Sequence, residues 1–177
     1  MMAASNIRDS VAFRRREQMA AVKVEKRKAI RIAYFEHVGS YGNIPFDKVI
    51  PQLYEWAKKN KVMPGFYPMG IYYSDPKTTP PDKSVTWLAI SFKGDGKPEG
   101  DIKINDLPEM TVATYSHKGP ASEYQKSYDT IASWIVANGY TAAGPPIEIY
   151  SKKPQMVDGQ MILYSKIMFP VTKLKKA

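Results

Sequence analysis

IAYFEHVGSYG at residues 32–42 and VATYSHKGPAS at residues 112–122 align without a gap, with His37 over His117 and Gly39 over Gly119. A self-match of this length within one chain marks a duplicated structural unit. The segment after each copy repeats as well. PFDKVIPQLYEWAKKN (45–60) sets Phe46, Val49, Ile50, Leu53 and Ala57 at helical spacing, and ASEYQKSYDTIASWIVANG (121–139) does the same with Tyr124, Tyr128, Ile131 and Ile135. Trp56 answers Trp134, and Asn60 answers Asn138. Asn138–Gly139 closes the second helix with residues that tolerate a left-handed C-cap. Pro51 lacks the donor a helix interior needs, so it belongs near the first helix's start or marks a kink.

Two strand signals come after each helix. In the first copy they are GIYYSDP (70–76) and SVTWLAISF (84–92); in the second, IEIYSKKP (147–154) and MILYSKIMFPV (161–171). Tyr73 then lies over Tyr150. GDGKPEGDIKINDLPEM (94–110) joins the copies and carries a first strand for the second, as VKVEKRKAIRIAYF (22–35) does for the first. The chain therefore reads as strand–helix–strand–strand, twice: an α+β protein. Neither unit alone covers its sheet. Side by side they form one antiparallel sheet with both helices on one face. The opposite face is expected to hold a groove across the pseudo-two-fold, a common place for a ligand. The organisation is a basic extension (1–21), a folded region (22–172, with repeats 22–93 and 101–172) and a basic tail (173–177).

Side chains alternate across a strand. Leu88, Ile90 and Phe92 are the uniformly apolar set of their strand and should meet a helix, as should Leu163, Ile167 and Phe169. In GPPIEIYSKKP (144–154), Ile147 and Ile149 go to the core, leaving Glu148 and Tyr150 for the groove. The groove would gather Tyr73, Trp87, Tyr150, Tyr164, Met168 and Ile71 around one carboxylate, Glu148, and one amine, Lys166. Phe66, in GFYPMG (65–70), would overhang it. A concavity of rings around a lone carboxylate suits a flat, lipophilic cation, through apolar area and cation–π attraction. The alternative is structural: Glu148 and Lys166 pair with each other.

Charge and composition narrow the classes. The chain has 177 residues and a net charge of +9; residues 1–31 hold nine basic and three acidic side chains, most of that excess. Basic ends attract acidic proteins or nucleic acid. Cysteine is absent, which excludes disulfides and thiol catalysis. With no secretory leader and no long apolar run, a cytoplasmic protein is expected. The only histidines, His37 and His117, sit at strand ends before glycines, and neither a metal nor a cofactor is expected.

The ordered set of duplicated unit, His–x–Gly pairs, helix tryptophans, GIYYSDP, GPPIEIY and the closing FPV resembles the GyrI-like small-molecule-binding family. That family includes the effector-binding domains of AraC- and MerR-type multidrug regulators. The resemblance runs over 22–172. It implies the tandem fold, a groove for lipophilic, often cationic or aromatic compounds, and a pocket Glu at position 148. The chain departs from the family where Trp87 stands near a usual Asp and Lys166 replaces a usual acid. With no DNA-binding domain attached, the expected function is a stand-alone, non-catalytic binding protein for drug or toxin sensing or sequestration. Two alternatives go with it. One is a hydrolase of electrophilic toxins, with Glu148 activating water and Tyr73 or Tyr150 assisting the leaving group. The other is a gyrase-inhibitor-like interaction protein acting through its basic ends.

Overall fold

The matched segments become β2 (Ile30–Val38) and β7 (Met110–Gly119), and each leads through a single turn of 3-10 helix into a 14-residue α-helix. A computed structural model describes residues 11–19 and 21–175; the rest of the basic extension and the end of the tail lie outside the described residues. Residues 11–19 form helix α1, largely exposed, with Arg14, Arg15 and Arg16 on its surface. The chain continues through β1 (Lys23–Arg27), β2, α2 (Phe46–Lys59), β3 (Met63–Pro64), β4 (Met69–Tyr72), β5 (Val85–Lys93), β6 (Ile102–Leu107), β7, α3 (Tyr124–Ala137), β8 (Tyr140–Ala142), β9 (Ile147–Val157) and β10 (Gln160–Lys173).

The helical faces fall where the spacing puts them. Val49, Leu53, Trp56 and Ala57 of α2 pack on Leu88, Ile90 and Phe92 of β5, and Ile131 and Ile135 of α3 pack with Ala113, Ile167 and Val171. Burying each such Leu or Ile stabilises by about 1.5–3 kcal/mol. Pro51 lies inside α2, which leaves the turn below it one backbone hydrogen bond short. Asn138–Gly139 caps α3 with Gly139 at φ 72°, whereas at the matching end of α2 Lys61 takes φ 55°. A side chain there is strained. Lys61→Gly is expected to raise stability by a few tenths to about 1 kcal/mol, read as a higher urea midpoint.

The sheet order is β1-β7-β10-β9-β4-β5-β2-β6, antiparallel throughout, with the two halves meeting at β4 and β9. The flanking strands are exchanged. The linker strand β6 pairs with β2 of the first half, and β1 pairs with β7 of the second. Only two residues separate β1 from β2, and only two separate β6 from β7. Three virtual bonds span at most about 11 Å, yet six inter-strand steps in a flat sheet cover roughly 29 Å. The sheet must therefore roll until its ends approach. Its inner face becomes a second core, with Ile32, Ile71, Ala89, Val112, Ile147 and Met168 buried against one another. This corrects the expected position of the groove. The face away from the helices is consumed by the roll, and the open concavity lies on the helical side.

Candidate functional site

Between α2 and α3, floored by β4 and β9, lies a cavity of about 1820 Å³. Phe46, Ile50 and Tyr54 wall it from α2, and Tyr124 and Tyr128 from α3. At the floor Gly70 of β4 faces Glu148 of β9 across the strand pair. A Cβ at Gly70 would stand 2.5 Å from the Tyr150 hydroxyl and 3.0 Å from the Tyr72 ring. The missing side chain makes room for two phenols beside the carboxylate, and their hydroxyls meet each other at 2.5 Å.

Glu148 is 6% exposed. Tyr128 donates to its Oε1 at 2.6 Å. Burial raises its proton affinity, and hydrogen bonds from Tyr128, Tyr150 and Tyr72 pull the other way without cancelling the rise. The phenols are perturbed in turn. Burial, with the neighbouring carboxylate next, pushes Tyr124 up to about 12 and Tyr128 higher still, so both remain protonated donors. Tyr124 also bonds Ser165 at 2.8 Å, and its ring stacks on His117, whose Nδ1 meets Ser127. Phe46, Val49 and Ile50 hold the positions in α2 that match Tyr124, Ser127 and Tyr128 when the helices are aligned on Trp56 and Trp134. At these three positions the second repeat supplies hydroxyls and the first supplies apolar side chains.

Of the residues read from the sequence, Glu148, Tyr150, Tyr73, Tyr164 and Phe66 line the cavity, Tyr73 and Phe66 at its exposed rim. Ile71, Trp87, Met168 and Lys166 do not. Ile71 and Met168 are buried in the rolled face. Trp87 stacks on Tyr34 there at 3.8 Å and donates to Glu36. Lys166 pairs with Glu25 at 2.8 Å, so it is no partner for Glu148. Among the described residues Glu148 makes no ion pair with a Lys, Arg or His.

Tyr72, Tyr124 and Tyr128 are site residues that the sequence patterns do not single out. The helix tyrosines sit at core spacing and pass for packing. Tyr72 does carry a signal: the helix alignment that matches Trp56 to Trp134 also matches Tyr72, not Tyr73, to Tyr150, and Gly70 to Glu148.

The family model described as GyrI-like small molecule binding domain matches residues 20–172. The chain belongs to the GyrI-like family. Its curated relative YosT of Bacillus subtilis (strain 168), named as an SPbeta prophage-derived candidate transcriptional regulator, is 26% identical over 79% of this chain and 93% of its own. The C-terminal domain of EcmrR superposes with a TM-score of 0.72 at 21% identity, covering 86% of this chain and 98% of that one. A protein from Listeria innocua described as a hydrolase gives 0.65 at 16% over 86% and 92%. SAV2435, solved with tetraphenylphosphonium, gives 0.50 at 11% over 85% and 93%. Regulators, a hydrolase and a cation complex share this fold, so the GyrI-like chain's own ligand must be argued from its own site. Small-molecule binding is the family's property. Among the described residues no helix is long and apolar enough to cross a membrane.

Proposed function

We propose that this GyrI-like chain binds lipophilic aromatic cations in the cavity between α2 and α3, as a sensing or sequestering protein without turnover. The observation that carries this is Glu148: a buried carboxylate with no cationic partner among the described residues, at the floor of an open aromatic cavity. Buried charges in proteins are ordinarily paired or neutralised. Tyr128 donates to it and the mutually bonded Tyr72 and Tyr150 hydroxyls lie beside it, none of which neutralises the charge, and the surrounding rings offer a ligand apolar area and cation–π attraction. Asp47, Asp75 and Asp129 share the lining with Lys77, Lys152 and Lys153, so the charge that selects a cation is Glu148 at the floor. The tetraphenylphosphonium complex of SAV2435 and the regulator relatives support the ligand class and a sensing role.

The test is the pH dependence of binding. The folded protein holds the Glu148 proton more tightly than the unfolded chain does. Its contribution to unliganded stability is therefore most favourable below the usual carboxylate value and is lost as pH rises to the raised one. Cation binding needs the ionised form, so it runs oppositely. Calorimetric titration with tetraphenylphosphonium should show affinity climbing from pH 4.5 upward and levelling once Glu148 is ionised. A flat profile would remove Glu148 from recognition.

A second reading, hydrolysis of an electrophilic ligand, is favoured by the same raised proton affinity beside tyrosine donors, the setting of a general acid or base. Incubation with a strained, cyclopropane-bearing electrophile and chromatography of the products separates the readings. A ring-opened product that disappears in Glu148→Gln establishes turnover; unchanged compound retained by the protein supports binding alone.

A further inference from the structure

The mouth of the cavity is electrically two-sided. Its helix side carries Asp47 and Asp129. On the other side β9 and β10 outrun their neighbours: β4 pairs with β9 no further than Ile149, and β7 with β10 no further than Leu163. The two strands continue alone to a turn at Asp158 and Gly159, both left-handed. Their register shifts twice between Ile162 and Ser165, and such bulges bend and twist a ribbon. The base of this ribbon lays Lys152, Lys153 and Tyr164 on the cavity wall.

Tyr164 is held there by its hydroxyl, which donates to Gln155 Oε1 at 3.1 Å. Two ammonium groups lie over its ring, Lys152 Nζ at 4.9 Å and Lys118 Nζ at 5.9 Å from the centroid. Several cations that reach a neighbouring element meet a carboxylate, such as Lys166 with Glu25, Arg31 with Asp106 and Lys103 with Glu36, while Lys173 Nζ lies over the Tyr140 ring at 5.3 Å. Lys118 and Lys152 make no ion pair among the described residues. A ring attracts an ammonium without neutralising it, and two like charges on one ring, one of them Lys152 on the cavity wall, favour an anion beside them. Lys152 lies four residues past Glu148 on the same strand, about 13 Å of backbone, and the Lys and Glu side chains shorten the span a ligand must bridge.

We infer that the ligand of this cavity is amphoteric: an aromatic cation seated over Glu148 that carries a carboxylate on a flexible arm, received at Tyr164 by Lys152 on the cavity wall, with the charge of Lys118 added from the same ring. The inference rests on Glu148 being the cation site. It adds a second recognition element, the acid, that a simple lipophilic cation lacks.

A matched pair of probes tests it: (4-carboxybutyl)triphenylphosphonium, with an acid on its tail, and pentyltriphenylphosphonium, with none. Both are titrated calorimetrically into the full chain and into Lys152→Met and Lys118→Met/Lys152→Met variants, whose exposed substitutions keep the stems. The affinity ratio, acid over alkyl, should fall roughly fivefold in the double variant, the size of a modest ion pair, with an intermediate fall for Lys152→Met. Binding of the alkyl probe should not weaken, and added salt should erode the wild-type ratio. An unchanged ratio, with both probes still bound, overturns the inference and leaves the cation reading standing. If neither probe binds wild type, the cation reading fails and takes this inference with it.

Discussion

Glu148→Gln is expected to move two observables in opposite directions. Affinity for a lipophilic aromatic cation should fall tenfold or more, about 1.4 kcal/mol, while the unliganded protein should melt no lower than wild type and up to a few degrees higher. The argument is one of burial. Glu148 is enclosed, raised in proton affinity, and without a counter-ion among the described residues. An unpaired buried charge destabilises the fold it sits in. Glutamine keeps the shape, and its amide oxygen still accepts from Tyr128, so the substitution removes the charge and leaves the packing and that hydrogen bond. A carboxylate serving only structure would behave otherwise, with stability dropping on substitution and cation affinity unmoved. Thermal melts and titrations on the same two proteins give both signs.

Gly70→Ala should do what a larger rearrangement would. The new methyl would stand 2.5 Å from the Tyr150 hydroxyl and 3.0 Å from the Tyr72 ring, closer than carbon atoms approach such neighbours. Both phenols are rigid rings whose hydroxyls bond each other at the cavity floor, so relief requires moving those hydroxyls from beside Glu148. Overpacking of this kind costs about 1–3 kcal/mol of stability. With that hydroxyl pair displaced, the carboxylate keeps the Tyr128 hydrogen bond but loses part of what lowers its proton affinity, and cation binding at neutral pH weakens several-fold. A urea midpoint and a tetraphenylphosphonium titration measure the two effects. A variant with wild-type values in both would mean the floor has slack that the contact distances deny.

Much of the architecture was legible from periodicity alone, because burial imposes it. The two helical faces, the inward set Leu88, Ile90 and Phe92, and the turn of Glu148 away from Ile147 and Ile149 each come from period 3.6 or period 2. The side of the sheet on which the cavity opens was not legible from strand patterns. It depends on two connections, Lys28–Ala29 and Pro108–Glu109, too short for the sheet to stay flat. That constraint becomes visible only once the strand order is known. It converts the expected groove face into a core, and with it Ile71, Trp87 and Met168 from site residues into packing. Lys166 left the site for a different reason: β1 arrives beside β7 by exchange and brings Glu25 within reach. Tyr124 and Tyr128 escape notice because a tyrosine at core spacing looks the same whether its hydroxyl meets solvent, backbone or a carboxylate. Their role needs the partner strand in place.

Charge discrimination at constant shape tests the central claim most directly. Tetraphenylphosphonium and tetraphenylborate have nearly the same size and surface and opposite charge. Titrated at neutral pH and moderate salt, where long-range attraction of the basic chain for anions is screened, the phosphonium should bind at least tenfold more tightly than the borate. That preference should collapse in Glu148→Gln. Equal binding of the two ions by the wild-type protein, or a preference for the borate, would contradict the account, because Glu148 would then not be reading the charge of what enters the cavity.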